Sequence, residues 1–302
     1  MESSQKFDSL FQLNLTNDVH QYWPQSATTE NLTASVWHRD HLDLSSNRLI
    51  AGVATPELMV FTPAQPNGIG IVVFPGGSYQ RISIDNEGRD IGVALSQLGY
   101  TVFVATYRMP GENHRFGSET SLADAQRAVR WVRGNSENWN IEKVGILGFS
   151  AGGHLAGQLA TRFDTSIYDA LDEFDSLSAK PDFCGLIYPV VTMDEKFGHK
   201  GSAYELLGSH MTGEELNRYS IEKCVHRNMP ACFLVHANDD ESVPVENSLL
   251  LWQALRAQHI AVEMHLFNDG GHGFGIHGVE NKPARQWPEL FHNWISHALR
   301  EK

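Results

Sequence analysis

From about Ile71 the chain alternates short apolar, β-branched runs with longer segments of helical period, and few arrangements satisfy that rhythm. The runs GIGIVVF, TVFVATY, KVGILGF, FCGLIYPV, ACFLVHA and AVEMHLF read as strands. Helical spacing falls between them, near Asp90 to Leu98, Ser121 to Asn138, Ala151 to Arg162, Val245 to Gln258 and Pro283 to Leu299. In the second of these, Leu122, Ala125, Ala128, Val129 and Val132 recur at three- and four-residue intervals and make one buried stripe. Strands interleaved with helices predict βαβ units and a mostly parallel sheet, hence an α/β fold.

At 302 residues and 41% apolar content the chain can bury one large core, so a single α/β domain is expected. Upstream, PELMVFTPAQPNGIGIVVF reads as two strands joined by a Pro/Asn/Gly turn, with an antiparallel edge opening the sheet. Residues 1–50 carry aromatics but little periodicity, and are expected to form an arm packed over the main domain, residues 51–302. The polar segment Thr192 to Asn228 interrupts the rhythm and reads as a cap-like insertion above an active site.

A net charge of -13 without a basic run opposes binding to phosphate backbones, so no nucleic-acid partner is expected. No stretch approaches the length of about 20 apolar residues that spans a bilayer, so no membrane partner is expected either. With no leader-like start, the expected location is the cytoplasm. The cysteines Cys184, Cys224 and Cys232 cannot all pair within the chain, and are read as reduced core residues. Self-association into a homo-oligomer is left open.

Chemistry concentrates at four places. The stretch VGILGFSAGGHLAG sets one hydroxyl, Ser150, between glycines where a strand runs into a helix. Such glycines permit the sharp turn of a nucleophile elbow, which exposes Oγ. A serine hydroxyl needs a base to take its proton, and acyl transfer also needs donors for the oxyanion. The glycines of VVFPGGSYQ, Gly76 and Gly77, together with the amide of Ala151, are the candidate oxyanion donors. A phosphate-binding loop is disfavoured there, since no GKS or GxGxxG pattern follows. The third place, FLVHANDDESVPVENS, puts a carboxylate at the end of a strand, with Asp240 preferred over Asp239 and Glu241. The fourth, HLFNDGGHGFG, carries His272 on a glycine-rich turn beyond the last strand. The order Ser150, Asp240, His272 is that of nucleophile, acid and base in α/β-hydrolases.

On FPGGSYQRISIDNEG, YRM, DAQRAVRWVR, VGILGFSAGGHLAG, HANDDESVPVENS and GGHGFG, the chain from about Met59 onward resembles the α/β-hydrolase esterases that include bacterial acetyl-xylan esterases and related sugar-ester deacetylases. The resemblance implies an α/β-hydrolase fold, a mostly parallel eight-stranded sheet flanked by helices on both faces. It implies Ser150, Asp240 and His272 as the catalytic residues, with Gly76, Gly77 and Ala151 as the oxyanion hole. No metal or organic cofactor is implied, and the expected partner is a small-molecule ester, an acetylated sugar among the candidates. Where many relatives of the wider superfamily carry His-Gly-Gly-Gly, this chain has Pro75-Gly76-Gly77-Ser78, which alters how that loop is anchored. The expected reaction is serine carboxylester hydrolysis on short acyl esters. Its rivals are an arylformamidase or peptidase on the same scaffold, and a non-catalytic ligand-binding protein.

Other residues are read blandly. His154 is expected to pack or to bond a helix end, and the HRDH run from His38 to His41 lacks the spacing of a zinc site. Trp131 and Trp139 are expected in the core or on a helix surface. Arg108 and Asp124 are expected to form an ion pair bracing the sheet against its helix.

Overall fold

The computed structural model describes residues 5–7, 16, 18–24, 32–38 and 47–299. The strands are β1 (Gln5–Phe7), β2 (Val19–Gln21), β3 (Ala34–His38), β4 (Arg48–Ala51), β5 (Glu57–Phe61), β6 (Ile69–Phe74), β7 (Ile82–Ser83), β8 (Thr101–Ala105), β9 (Lys143–Phe149), β10 (Phe183–Ile187), β11 (Ala231–Ala237) and β12 (Val262–Phe267). The α-helices are α1 (Asp90–Gln97), α2 (Thr120–Gly134), α3 (Ser150–Arg162), α4 (Lys200–Leu207), α5 (Gly213–Tyr219), α6 (Glu246–Ala257) and α7 (Trp287–Ala298).

Among the described residues, eight strands form the main sheet in the order β12-β11-β10-β9-β6-β8-β5-β2. From β12 to β8 every pairing is parallel, and β5 and β2 close the far edge antiparallel. Consecutive residues of β8 and β10 are all buried. Because side chains alternate between the faces of a strand, such runs require cover on both faces of the sheet. The α/β-hydrolase sheet expected from the motifs is therefore present.

The chain departs from β6 to β8 on one side, then returns through α2 to β9 on the other. Strand order thus reverses at β6, and a reversal of that kind opens a crevice at the carboxyl ends of the strands. There the register Phe74↔Gly148 sets the loop after β6 directly against the start of α3.

Two expectations need correction. Although β5 and β6 are joined by a short turn, they are not partners: β8 lies between them. The fully buried core of β6 takes parallel neighbours on both sides, which leaves the antiparallel β5 a place only near the edge. The helices expected to run to Asn138 and to begin at Pro283 are both shorter. A 3-10 turn, Ser136–Trp139, follows α2, and another, Pro283–Gln286, precedes α7.

The described parts of the N-terminal region are strand-bearing. β2 extends the main sheet, while β1, β3, β4 and β7 form a second sheet in that order. Tyr22 and Trp23 are buried beside this edge, and the Tyr22 hydroxyl donates to the Thr106 carbonyl at 2.7 Å. The segment 192–228, between β10 and β11, holds α4, α5 and a 3-10 turn, Ile221–Lys223. No helix among the described residues is long and apolar enough to cross a membrane.

Arg108, three residues beyond β8, meets Asp124 of α2 in a buried pair, with Nη2 2.6 Å from Oδ1 and the Arg108 amide 2.8 Å from Oδ2. The guanidinium also stacks 4.8 Å from the centre of the Trp23 ring. Removing one charge of a buried pair leaves the other desolvated, which costs roughly 3 kcal/mol or more. Asp124→Asn should therefore lower the melting temperature by several degrees. A thermal melt that coincides with that of the unaltered protein would remove the bracing role.

Candidate active site

The β9–α3 junction is built on strain. Phe149 is extended at φ -119°, whereas Ser150, the first residue of α3, lies at φ 54° in the left-handed region that side chains rarely adopt. Crowding explains the flanking glycines. A Cβ on Gly152 would lie 2.1 Å from the Phe74 carbonyl oxygen, and one on Gly148 would lie 2.2 Å from the Gly152 oxygen.

Three residues far apart in sequence meet at the carboxyl edge of the sheet. Ser150 Oγ is 2.8 Å from His272 Nε2, and His272 Nδ1 is 2.7 Å from Asp240 Oδ2. Since a carboxylate can only accept, Nδ1–H donates to Asp240 and Nε2 is left to accept from the serine. Asp240 Oδ1 accepts the amides of Ser242 and Val243 at 2.9 and 2.8 Å. Burial works against the Asp240 charge, but hydrogen bonds from His236 and His272, the His272 charge and the Val243 amide outweigh it. The carboxyl is thereby held well below the usual carboxylate range.

Asp239, the alternative acid, does different work. Its Oδ1 accepts the amides of Gly270 and Gly271 at 2.8 and 2.7 Å and so ties down the loop that carries His272.

The oxyanion loop differs from expectation in one respect. The Gly76 amide, a candidate donor, is engaged by the Glu87 carboxylate at 2.7 Å and is not open to an oxyanion. Gly77, at φ 138°, is turned by its own carbonyl, which accepts from the amides of Gln80 and Arg81. The Ala151 amide, in the first turn of α3, has no carbonyl four residues back within the helix to bond. Gly77 and Ala151 thus remain as candidate donors.

Several residues that shape this region were not singled out by sequence reasoning. Glu87 and Tyr188 are one pair, Asn86 another contributor, with its Nδ2 2.8 Å from the Gly273 carbonyl. His236 is buried beside Asp240, with Nε2 3.0 Å from the Val243 carbonyl and 3.3 Å from Asp240 Oδ2. A lone histidine inside the apolar run ACFLVHA, four residues before Asp240, was the available signal.

His154 stays outside the chemistry. It is fully buried, with Nε2 2.7 Å from the Tyr219 carbonyl and Nδ1 2.7 Å from the Tyr79 hydroxyl. The carbonyl can only accept, so Nε2 carries the proton and Nδ1 accepts from Tyr79. Trp131 and Trp139 lie against the core, their rings 6.0 Å apart. Of the HRDH run, residues 39–41 lie outside the described residues.

Ser150 and His272 open into a cavity of about 240 Å³ lined also by Gly77, Ser78, Arg81, Ser83, Glu87, Ser242 and Gly273. No aliphatic or aromatic side chain is among them.

Residues 60–255 match the sequence profile of the family described as BD-FAE. The acetylxylan esterase of Xylanibacter ruminicola is 34% identical over 247 residues, covering 79% of this chain and 48% of that protein. The endo-1,4-beta-xylanase B of Butyrivibrio fibrisolvens is 37% identical over 208 residues, covering 68% of this chain and 32% of that protein. The chain thus spans about half of one curated relative's length and about a third of the other's. The crystal structure of an acetyl ester-xyloside bifunctional hydrolase from Caldicellulosiruptor lactoaceticus superposes with a TM-score of 0.77 at 31% identity, covering 93% of this chain and 96% of that chain.

Burial, helped by the Arg162 charge and opposed by the bond to Tyr219, pushes the His154 imidazole down to about 4. The unfolded chain then binds a proton near pH 6.5 that the folded chain refuses until about pH 4. The stability this neutral ring contributes is complete above pH 6.5 and drains away as pH falls toward 4, by about 3 kcal/mol. Denaturant unfolding at pH 7.5 and 4.5 should show the gap between the unaltered protein and His154→Gln narrowing at the lower pH. A gap independent of pH would contradict this account.

Proposed function

The chain belongs to the BD-FAE family, and on that premise we propose that it is a serine carboxylic ester hydrolase that removes short acyl groups, acetyl above all, from sugars or oligosaccharides. The observation that carries this reading is the unbroken relay from Ser150 through His272 to Asp240, opening into a small cavity of polar and glycine residues. Such a lining suits a hydroxyl-rich alcohol and a short acyl chain, and offers no apolar channel for a long one. The similarity to an acetylxylan esterase and to an acetyl ester-xyloside hydrolase supports the same substrate class.

In this mechanism Ser150 Oγ attacks the acyl carbonyl while His272 Nε2 takes its proton. Asp240 holds the imidazole in the required tautomer and stabilises the imidazolium. The amides of Gly77 and Ala151 meet the oxyanion, with Gly76 serving as the turn that presents Gly77. Collapse of the intermediate expels the alcohol, which leaves with the proton from Nε2. A water then gives its proton to the same nitrogen and attacks the acyl-enzyme, and as the bond to Ser150 breaks Nε2 returns that proton to Oγ and the acid leaves.

We also assign the body of the catalytic unit to residues 51–302, with residues 1–50 as an arm whose β2 adds the edge strand to its sheet, and the segment 192–228 as a cap. His199 caps the start of α4, its Nδ1 accepting the Ser202 amide at 3.1 Å, and its imidazole is pushed down by burial first and then by the His272 charge, while Asp240 acts in the opposite sense. The buried Cys184 and Cys232 sit side by side in register on β10 and β11 as free thiols, in keeping with a reducing, cytoplasmic setting.

The proposal predicts rapid hydrolysis of p-nitrophenyl acetate, a steep loss of rate on longer acyl chains, and release of acetate from acetylated xylo-oligosaccharides. A fluorophosphonate should label Ser150 once per chain, and His272→Ala should abolish that labelling. Asp240→Asn should lower kcat by about 10³- to 10⁴-fold. Hydrolysis confined to N-formylkynurenine or aminoacyl anilides would replace the ester reading with an amide one, and a folded chain that resists labelling would point to a binding protein.

A further inference from the structure

Glu87 is 4% exposed and lies in the π-helical turn Asp85–Arg89, between β7 and α1. Burying an acid this deeply costs free energy unless each oxygen meets a donor. Both do. Oε2 accepts the Gly76 amide at 2.7 Å, and Oε1 accepts the Tyr188 hydroxyl at 2.9 Å. The Tyr188 oxygen in turn accepts the Gly275 amide at 3.0 Å, three residues beyond His272. Tyr188 also presents its ring to the His272 ring, 5.1 Å between centres and edge-to-face, and holds a left-handed φ of 37° to do so.

We propose that Glu87 is a positioning residue, a strut that sets the oxyanion loop at Gly76 and the base loop at Gly275 in fixed relation through the Tyr188 hydroxyl. This inference rests on the serine-hydrolase reading above. Engaging Gly76 decides which amides stay open to the oxyanion, since it occupies that one and leaves Gly77 and Ala151. Bonding through Tyr188 fixes the loop that aims Nε2 at Ser150. The neighbours reinforce the same link. Asn86 bonds the Gly273 carbonyl, and Asp85 accepts from the Arg48 amide, Nε and Nη2 at 2.7, 2.8 and 2.7 Å, which anchors the turn to β4. The two loops come from β6 and from beyond β12, which are not neighbours in the sheet, so side-chain links of this kind are needed to hold their spacing.

A strut acts on the geometry of the transition state, and its removal should lower kcat with little change in KM. The test measures p-nitrophenyl acetate hydrolysis by the full chain, by Glu87→Gln, by Tyr188→Phe and by the double variant, with kcat expressed per site titrated by a fluorophosphonate. Normalising to titrated sites removes any contribution from unfolded protein. Each single variant should lose about tenfold to a hundredfold in kcat with KM within about threefold, and the double variant should be no worse than the poorer single, because both cut one strut. Full kcat per site in Glu87→Gln, or losses that multiply in the double variant, would overturn the proposal. If Glu87→Gln does not fold, Tyr188→Phe decides alone, and undiminished kcat there overturns it. An unaltered protein that neither hydrolyses the ester nor takes the label would instead defeat the serine-hydrolase reading itself.

Discussion

The pairing of β6 with β9 is the constraint on which the site depends. Their parallel register puts Phe74 opposite Gly148, so the two chains leave the sheet together, one into Pro75-Gly76-Gly77 and the other into Phe149-Ser150-Ala151. Two backbones emerging so close leave no room for side chains, which is why a Cβ on Gly152 would strike the Phe74 carbonyl. The left-handed turn at Ser150 costs free energy locally and persists because buried strands hold both ends of it. Once that junction is set, the hydroxyl and the neighbouring amides are placed with few degrees of freedom left.

The imidazole is not placed by the sheet in the same way. His272 sits on a loop beyond the edge strand β12, and loops of glycine do not hold a position on their own. Here the loop is tied by side chains from elsewhere: Asp239 accepts two of its amides, Asn86 Nδ2 donates to its Gly273 carbonyl, and Trp287 Nε1 donates to the Gly275 carbonyl at 2.8 Å. Asp240, itself bonded by His236, then settles which nitrogen of the His272 ring carries the proton. The site therefore combines a rigid half, built from central strands, with a half fastened by polar contacts among buried groups. Contacts of that kind are sensitive to single substitutions, because each leaves an unsatisfied partner behind.

Much of this was legible before any coordinates. Apolar runs identified the six parallel strands: the five inner ones are buried on both faces and so apolar nearly throughout, while the edge strand β12 is only partly buried and carries Glu263 and His265. The glycine-serine-glycine pattern located the elbow because the crowding there excludes any larger residue. Asp240 and His272 were readable because each follows directly on a strand whose end lies at the same edge. What was misread shares one cause. The adjacency of β5 and β6 along the chain suggested a hairpin, yet pairing is decided by which strand is buried in the centre of the sheet. Gly76 looked like an oxyanion donor, but whether its amide is free depends on a carboxylate eleven residues away in a turn with no strong local signature.

Sequence alone determined the strand-helix frame and the positions of Ser150, Asp240 and His272 at its edge, because local crowding, strand ends and turn glycines are properties of short stretches. Only the tertiary structure decided which donors stay open and how the base loop is held. Those outcomes depend on Glu87, Tyr188, Asn86 and His236, whose contacts join segments that a reading of periodicity treats as unrelated. Hydrogen-bond partners are chosen by distance in space, and a linear pattern carries no record of it.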